Sequence, residues 1–321
     1  MRPRIVATRR IAEDAMALLR EAGDVWVPEP DRPLPTDELH TAVKGADAVV
    51  STLHDTMDAA FADAAGPQLK VVSTVAVGYD NIDVAALHAR DVVVTNTPGV
   101  LTDATADLTF GLLLSVTRRL GEGERLLRAR EPWRFDLGFL LGTGLQGKTL
   151  GIVGLGQIGT AVARRARAFG MRIVYTGRRR AETSVERELD ARYVPLDELL
   201  RSSDVVSLHC PLTPQTRHLI DAGALAAMKP TAFLINTTRG PVVDEAALAR
   251  ALGSGVIAGA GLDVFEREPE VHPALLELDN VALAPHLGSA TTETRAAMAV
   301  LAARNAVAVL RGEEPPTPVR S

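Results

Sequence analysis

The sequence predicts an α/β fold of two doubly wound parallel-sheet domains with a cleft between them. Three observations carry this. Short β-branched runs such as Val71-Val72-Ser73-Thr74 and Val92-Val93-Val94-Thr95 alternate with stretches of helical spacing, the pattern of a parallel sheet covered by helices on both faces. A second alternating series begins near Leu150. A glycine turn, Gly154-Leu155-Gly156-Gln157-Ile158-Gly159, opens this second series and not the first. An apolar run precedes that turn and an alanine- and arginine-rich helix, Ala161 to Phe169, follows it. Strand, G-x-G-x-x-G and helix in that order form a dinucleotide-binding fingerprint. The first glycine permits the tight turn, the second admits a pyrophosphate, and the third lets helix and strand pack closely. The free N–H groups and positive end of the helix then face the phosphates. Both halves therefore read as Rossmann-like or flavodoxin-like.

In order along the chain, Ile5 to Thr8 is a first strand, and Ile11 to Ala22 is a helix stopped by Gly23. Val25-Trp26-Val27 is a strand, Pro28 to Pro35 a loop, and Thr36 the candidate cap of the next helix. Ala48-Val49-Val50, Val71 to Thr74 and Val92 to Thr95 are parallel strands. Asn96-Thr97-Pro98-Gly99 breaks the pattern, and a long helix is expected from Thr102 to Leu120, with Asp103 and Asp107 near its positive end. Pro132-Trp133-Arg134 and a glycine-rich loop lead to the central strand. Beyond the glycine turn, strands are read at Arg172 to Thr176, Val205 to Leu208, Ala232 to Asn236, Gly259 to Val264 and Val281 to Ala284. Thr291 to Leu310 is a last helix, and Arg311 to Ser321 a polar, proline-rich tail. No strand follows that helix, so it is expected to cross back onto the first unit. The domains are then 1–99 plus 290–321 for the substrate, and 100–289 for the dinucleotide.

Composition narrows the function. The chain has 321 residues, 46% of them hydrophobic and 23% charged, with net charge −5. That is ordinary for a soluble globular protein and leaves no electrostatic footprint for nucleic acid. The single cysteine, Cys210, supports neither an intrachain disulfide nor a metal site, which points to a reducing cytoplasm and no metal. The N-terminal residues lack the long apolar run of a signal peptide. No stretch reaches the roughly 18 apolar residues of a membrane span.

The cofactor is read one strand further on. An NAD site places an acidic residue about 20 residues past the glycines to hold the ribose hydroxyls. Here the strand Ile173 to Thr176 runs into Gly177-Arg178-Arg179-Arg180. A guanidinium matches a phosphate and not a diol. NADP(H) is therefore favoured over NAD(H), with Arg178 first and Arg179 second as phosphate ligands.

Ligands of open α/β sheets bind beyond the carboxyl ends of strands. Those ends carry Cys210-Pro211, Thr237-Thr238-Arg239-Gly240, Asp263 and Pro285-His286, and Glu266 and Glu268 lie in a loop. Arg239, a loop glutamate and His286 form a set for hydride transfer to a carbonyl. An imidazolium is a suitable acid near neutral pH. A carboxylate beside it stabilises its charged form, and a guanidinium binds a substrate carboxylate. Taken singly, each has an ordinary structural explanation: a helix cap for His286, a surface ion pair for Arg239. Spacing alone does not choose Glu268 over Glu266.

Four stretches in order resemble the D-isomer-specific 2-hydroxyacid dehydrogenase family. They are Gly154 to Gly159, Asn236-Thr237-Thr238-Arg239-Gly240-Pro241-Val242-Val243-Asp244, Gly261-Leu262-Asp263-Val264-Phe265-Glu266-Arg267-Glu268-Pro269, and Pro285-His286-Leu287-Gly288-Ser289-Ala290-Thr291. Val75 to Asp83, Thr97 to Asp107 and Tyr175-Thr176-Gly177-Arg178 are similar to its glyoxylate/hydroxypyruvate reductase branch, which tends to use NADPH. The resemblance implies a small 2-keto acid substrate, bound by Arg239, with His286 as proton donor and Glu268, just before Pro269, as its partner. It implies that Val77 and Gly78 offer N–H groups to the substrate carboxylate and that Leu53 lines the pocket. Thr105 and Asp263 would lie toward the nicotinamide end, and Cys210, Pro211 and Thr216 toward the adenosine, with Thr237, Thr238 and Gly288 completing the cofactor set. It also implies a homodimer built around the nucleotide domain. One stretch departs from the branch. Mammalian-type members carry further tryptophans after the Trp133 position, reaching the partner subunit's pocket, where this chain offers Phe135 and Phe139. A family member acting on another 2-keto acid, or a nucleotide-sensing co-repressor-like binding protein, shares the scaffold. The absence of long partner-binding tails argues against the latter.

Overall fold

A computed structural model describes residues 2–320. In chain order the elements are β1 (Arg4–Ala7), α1 (Glu13–Ala22), β2 (Asp24–Trp26), α2 (Thr36–Ala42), β3 (Ala48–Ser51), α3 (Ala59–Ala65), β4 (Val71–Thr74), α4 (Val84–His88), β5 (Val93–Thr95), α5 (Thr102–Thr117), α6 (Leu120–Arg128), β6 (Thr149–Val153), α7 (Gln157–Ala168), β7 (Arg172–Thr176), α8 (Thr183–Leu189), β8 (Ala191–Tyr193), α9 (Leu196–Ser202), β9 (Val205–Leu208), α10 (Ala222–Ala227), β10 (Phe233–Asn236), α11 (Glu245–Gly253), β11 (Gly259–Leu262), α12 (Pro273–Leu276), β12 (Val281–Leu283) and α13 (Thr292–Leu310). A single 3-10 turn spans Gly240–Val242.

The chain divides into two compact units. One ends at Leu101 and resumes at Ala290; the other is continuous, Thr102–Ser289. The division falls where α5 starts. In the first unit a five-stranded sheet has the order β2-β1-β3-β4-β5, with every neighbouring pair parallel. That is the flavodoxin-like order. α13 belongs to this unit and packs on α1 and β4. Its alanines at 299, 302, 303 and 306 are buried against Ile5, Val50 and Val71, small side chains that let a 19-residue helix lie close to the sheet.

The second unit has a seven-stranded parallel sheet in the order β12-β11-β10-β9-β6-β7-β8. Strands β6, β9 and β10 are buried along their whole length, as expected for a sheet covered on both faces. Chain order reverses at β6: β7 and β8 lie on one side, β9 to β12 on the other. The strand ends diverge there, and that switch point is where open α/β sheets take their ligands. On one face α7 presents Gly159, Val162, Ala163 and Ala166, spaced for one side of a helix, to Ala106, Phe110 and Leu113 of α5. Arg165 of α7 pairs with Asp103 at 3.1 Å and Asp107 at 2.7 Å.

Four sequence expectations change. Thr36 is the first residue of α2, not its cap: Pro35 holds that position, and its carbonyl accepts the Leu39 N–H. The helix expected to reach Leu120 ends at Thr117, whose carbonyl accepts the Thr143 N–H at 2.7 Å. Arg119 then takes a left-handed φ of 55° before α6 starts. Strand β8 was not anticipated; its three residues pair only with β7, at the sheet edge. The C-terminal stretch docks in the first unit: the Val319 N–H donates to Val94 O at 2.8 Å, and Val319 is buried. Asn305, fully buried, organises this docking. Its side chain donates to Thr317 Oγ1 at 2.7 Å and accepts the Thr317 N–H at 2.9 Å. Among the described residues no helix is long and apolar enough to cross a membrane.

Asn305→Ala removes the acceptor of the Thr317 N–H in a half-buried site and is expected to destabilise the protein by about 1–3 kcal/mol. Urea denaturation of the variant against the parent checks this, and an unchanged midpoint would contradict it.

Candidate active site

At the switch point the glycine turn meets the exit from β9. Gly154 takes a φ of 97°, and a Cβ there would sit 2.9 Å from Cys210 N and from the His209 carbonyl. A Cβ on Gly159 would collide with the Gly154 carbonyl, so α7 starts directly on the turn. Around Gly156 nothing lies within 4 Å of an added Cβ, which leaves open space at the mouth of a 12-residue helix that no side chain caps. Open space, uncapped N–H groups and a crowded turn behind them fit a pyrophosphate.

Beyond β7 the chain is tied at both ends of a short loop. Tyr193 Oη donates to the Gly177 carbonyl at 3.1 Å. Tyr175 Oη accepts the Ala181 N–H and donates to Glu186. Arg180 makes two 2.9 Å bonds to Glu186, which hold the Glu186 carboxyl below its ordinary range. Arg178 and Arg179 are exposed and have no ion-pair partner among the described residues. Of three consecutive arginines, the fold spends the third on its own scaffold and leaves two.

The polar strand ends sit side by side. Asn236 ends β10; its side chain accepts the Thr238 N–H at 3.1 Å and donates to Arg239 O at 3.0 Å, fixing the turn that presents Arg239. Thr238 Oγ1 donates to Cys210 O at 2.6 Å. Thr237 Oγ1 bonds Thr109 Oγ1 at 2.9 Å, and Thr105 Oγ1 donates to Gly288 O at 3.1 Å. Thr216 Oγ1 closes its own loop by donating to Pro211 O at 2.6 Å. Cys210 is buried and its thiol is pushed up to about 11. Burial pushes its neighbour His209 down to about 3, and that ring bonds Ser207.

His286 differs. Its Nδ1 lies 2.7 Å from Glu268 Oε2, and Glu268 Oε1 accepts the Phe265 N–H at 3.0 Å. Burial raises the Glu268 carboxyl, but the bond to His286, the charges of His286 and Arg239 and the Phe265 N–H outweigh it and hold the group below its ordinary range. With Nδ1 bonded to Glu268, Nε2 is the ring nitrogen left for chemistry. The choice between Glu266 and Glu268 is made by geometry: Glu266 bonds His218 instead, at 2.7 Å.

Asp263, buried at the end of β11, holds His286 from the backbone side. Its carboxylate accepts the Leu287 N–H at 2.6 Å and the Gly288 N–H at 2.8 Å. Its carbonyl accepts the His286 N–H at 2.8 Å. His286 is held at a φ of 54°, sparsely populated for a residue with a Cβ. Burial pushes the Asp263 carboxyl up, opposed by those two N–H groups. Asn236 and Thr109 were not singled out from sequence; their signal is a polar residue at a strand end and at one-turn spacing from Thr105.

In the first unit Leu53 follows β3, and Val77 and Gly78 follow β4. The Val77 carbonyl accepts from Asn96 Nδ2 at 2.8 Å. Among the described residues the N–H groups of Val77 and Gly78 have no acceptor, so both remain available to an anion. No cluster of His, Cys, Asp or Glu among the described residues is arranged to hold a metal ion.

Fold and site together define a dinucleotide-binding α/β oxidoreductase. Comparison with known proteins places it more closely. The family described as D-isomer specific 2-hydroxyacid dehydrogenase, NAD binding domain, matches residues 110–288. A glyoxylate reductase of Thermococcus onnurineus is 49% identical over 99% of this chain and 96% of its own length. A Thermus thermophilus crystal structure superposes with TM-score 0.92 at 45% identity, covering 99% of this chain and 100% of that one. An NADPH-dependent glyoxylate/hydroxypyruvate reductase from Sinorhizobium meliloti, solved with NADP and malonate, superposes with TM-score 0.88 at 38% identity, covering 99% and 97%. The chain belongs to the D-isomer-specific 2-hydroxyacid dehydrogenase family, and it is an NAD(P)-dependent oxidoreductase of a small 2-keto acid.

The Glu268–His286 contact has a pH signature. Glu268 ionises more readily folded than unfolded, so the pair stabilises the fold fully above the ordinary carboxylate value of 4.5 and progressively less as pH falls below it. Glu268→Gln is expected to flatten the acid limb of stability against pH. Thermal unfolding between pH 3 and 7 measures this, and an unchanged limb would count against the pairing.

Proposed function

We propose that this enzyme reduces glyoxylate or hydroxypyruvate to the D-2-hydroxy acid with NADPH. The observation that carries the reading is the 2.7 Å Glu268–His286 pair, set in the same unit as Arg239 and the glycine turn. The bound reduced nicotinamide supplies the hydride to the carbonyl carbon. Arg239 binds the substrate carboxylate and polarises the carbonyl. As charge develops on the carbonyl oxygen, His286 Nε2 gives it a proton. Glu268 keeps Nδ1 protonated throughout, and it stabilises the imidazolium before transfer. The ring then regains its proton from solvent.

To the first unit we assign the substrate carboxylate, through the Val77 and Gly78 N–H groups, and the pocket wall, through Leu53. To the second we assign the cofactor. Gly154, Leu155, Gly156, Gln157, Ile158 and Gly159 take the pyrophosphate, and Cys210, Pro211 and Thr216 flank the adenosine. Thr105, Thr237, Thr238, Asp263 and Gly288 border the nicotinamide. Gly177, Arg178 and Arg179 take the 2′-phosphate, a reading supported by the two exposed arginines, which have no ion-pair partner among the described residues, and by the NADP in the Sinorhizobium meliloti relative. We infer a homodimer as well. Leu120 and Leu127 of α6 and Trp133, Phe135, Leu137 and Leu141 beyond it are exposed, an apolar strip of the kind that soluble chains cover with a partner.

His286→Ala is expected to lower kcat about 10²- to 10⁴-fold while leaving the Kd for NADPH, from fluorescence titration, within twofold. Full turnover would sink the assignment. Changing Arg178 and Arg179 together to alanine should lower the NADPH/NADH ratio of kcat/KM by about tenfold to a hundredfold, the worth of charge-assisted bonds. A ratio that stays put would show that the phosphate is held elsewhere.

A further inference from the structure

The segment that carries Glu268 has no regular structure of its own, yet Glu268 must meet His286 within hydrogen-bond range. One carboxylate outside the site holds that segment at two points. Glu245, at the start of α11, is buried. Its Oε2 accepts the Glu266 N–H at 2.6 Å, and its Oε1 accepts the His272 N–H, also at 2.6 Å. The two anchor points lie on either side of Glu268. Glu266 answers by accepting the Glu245 N–H at 3.4 Å while bonding His218 at 2.7 Å and Arg217 at 3.3 Å. A second constraint lies between the segment and Arg239: a Cβ on Gly240 would lie inside the Phe265 carbonyl group. The peptide joining Phe265 and Glu266 therefore rests on the turn that presents Arg239.

We propose that Glu245 is a positioning residue for the reaction: through the Glu266 and His272 N–H groups it fixes the segment 265–272, and so sets where Glu268 meets His286 and Arg239. It touches none of the proposed reacting atoms. The inference rests on the proposed Glu268–His286 roles. Charged and titratable groups facing the pair are Arg239 and Asp263; those around Glu245 are Glu266, Arg217, His218 and His272.

A carboxylate can accept both N–H groups, whereas an amide turns its NH₂ toward one of them. Glu245→Gln in the full-length enzyme should therefore release one end of the segment. With glyoxylate and NADPH, kcat is expected to fall about tenfold from misplacement alone. The basic limb of kcat/KM against pH should move down by about 0.5–1 pH unit as Glu268 loosens from the imidazolium. The Kd for NADPH should hold within twofold. Glu245→Asp keeps the charge and should restore the basic limb at least halfway; it also serves as the readout if the glutamine variant does not fold. An unmoved basic limb, with or without a lower Tm, would overturn the proposal. His286→Ala, run beside them, separates the failures: if that variant turns over normally, the underlying assignment falls, whatever Glu245 does.

Discussion

Backbone crowding at the carboxyl ends of the seven-stranded sheet governs this enzyme's chemistry. Strand β6 exits into a turn that lies against the exit from β9, so closely that position 154 has no room for a Cβ. The crowding follows from topology. Chain order reverses at β6, and the exits of two adjacent strands must part at one point. A left-handed glycine sends one chain up into α7 while the other runs past it toward Cys210. Helix α7 then starts on the turn with no side chain capping its N–H groups, so the proposed anion site is a by-product of solving a steric problem. The same economy appears at Gly240, where the Arg239 turn and the Phe265 peptide share a space that no side chain could enter.

Geometry at His286 depends on a different physical device, a buried carboxylate saturated by backbone donors. Asp263 has two N–H groups on its side chain and one on its carbonyl, all from residues 286 to 288. Three bonds from one residue offset the cost, of order 1–3 kcal/mol, of a left-handed φ at a residue with a Cβ. Held from behind by Asp263 and at Nδ1 by Glu268, the ring has little freedom left. Such preorganisation is what general acid catalysis needs, since a proton must cross a gap of one hydrogen bond.

Much of this was legible in the sequence. Most strand positions came from short β-branched runs, which suit a parallel sheet buried on both faces; β11, Gly-Ala-Gly-Leu, is the exception. The glycine turn and the polar residues after consecutive strands pointed to the candidate site, because topology puts strand ends together. Helix ends were less legible. α5 stops at Thr117 because a residue 26 positions on takes its carbonyl, and no local pattern encodes that. Glu266 and Glu268 were equivalent by spacing; resemblance favoured Glu268, and the fold separates them by giving one to His218 and the other to His286. Glu245 is invisible to motif reasoning for the same reason: its partners lie 21 and 27 residues away.

The arginine run after β7 shows how structure refines a charge pattern. By sequence, Arg178 and then Arg179 are the candidates for a phosphate, in a run that continues to Arg180. The fold sets Arg180 apart. Glu186 takes Arg180 with both oxygens and also receives the Tyr175 hydroxyl, while that hydroxyl accepts the Ala181 N–H. The far end of the loop is thereby locked, and Tyr193 locks the near end at the Gly177 carbonyl. Between the locks stand the exposed Arg178 and Arg179, with no ion-pair partner among the described residues. An exposed pair of like charges with no internal partner is unfavourable on its own. A dianion held beside them would relieve that repulsion, and this is the physical support for the proposed 2′-phosphate site.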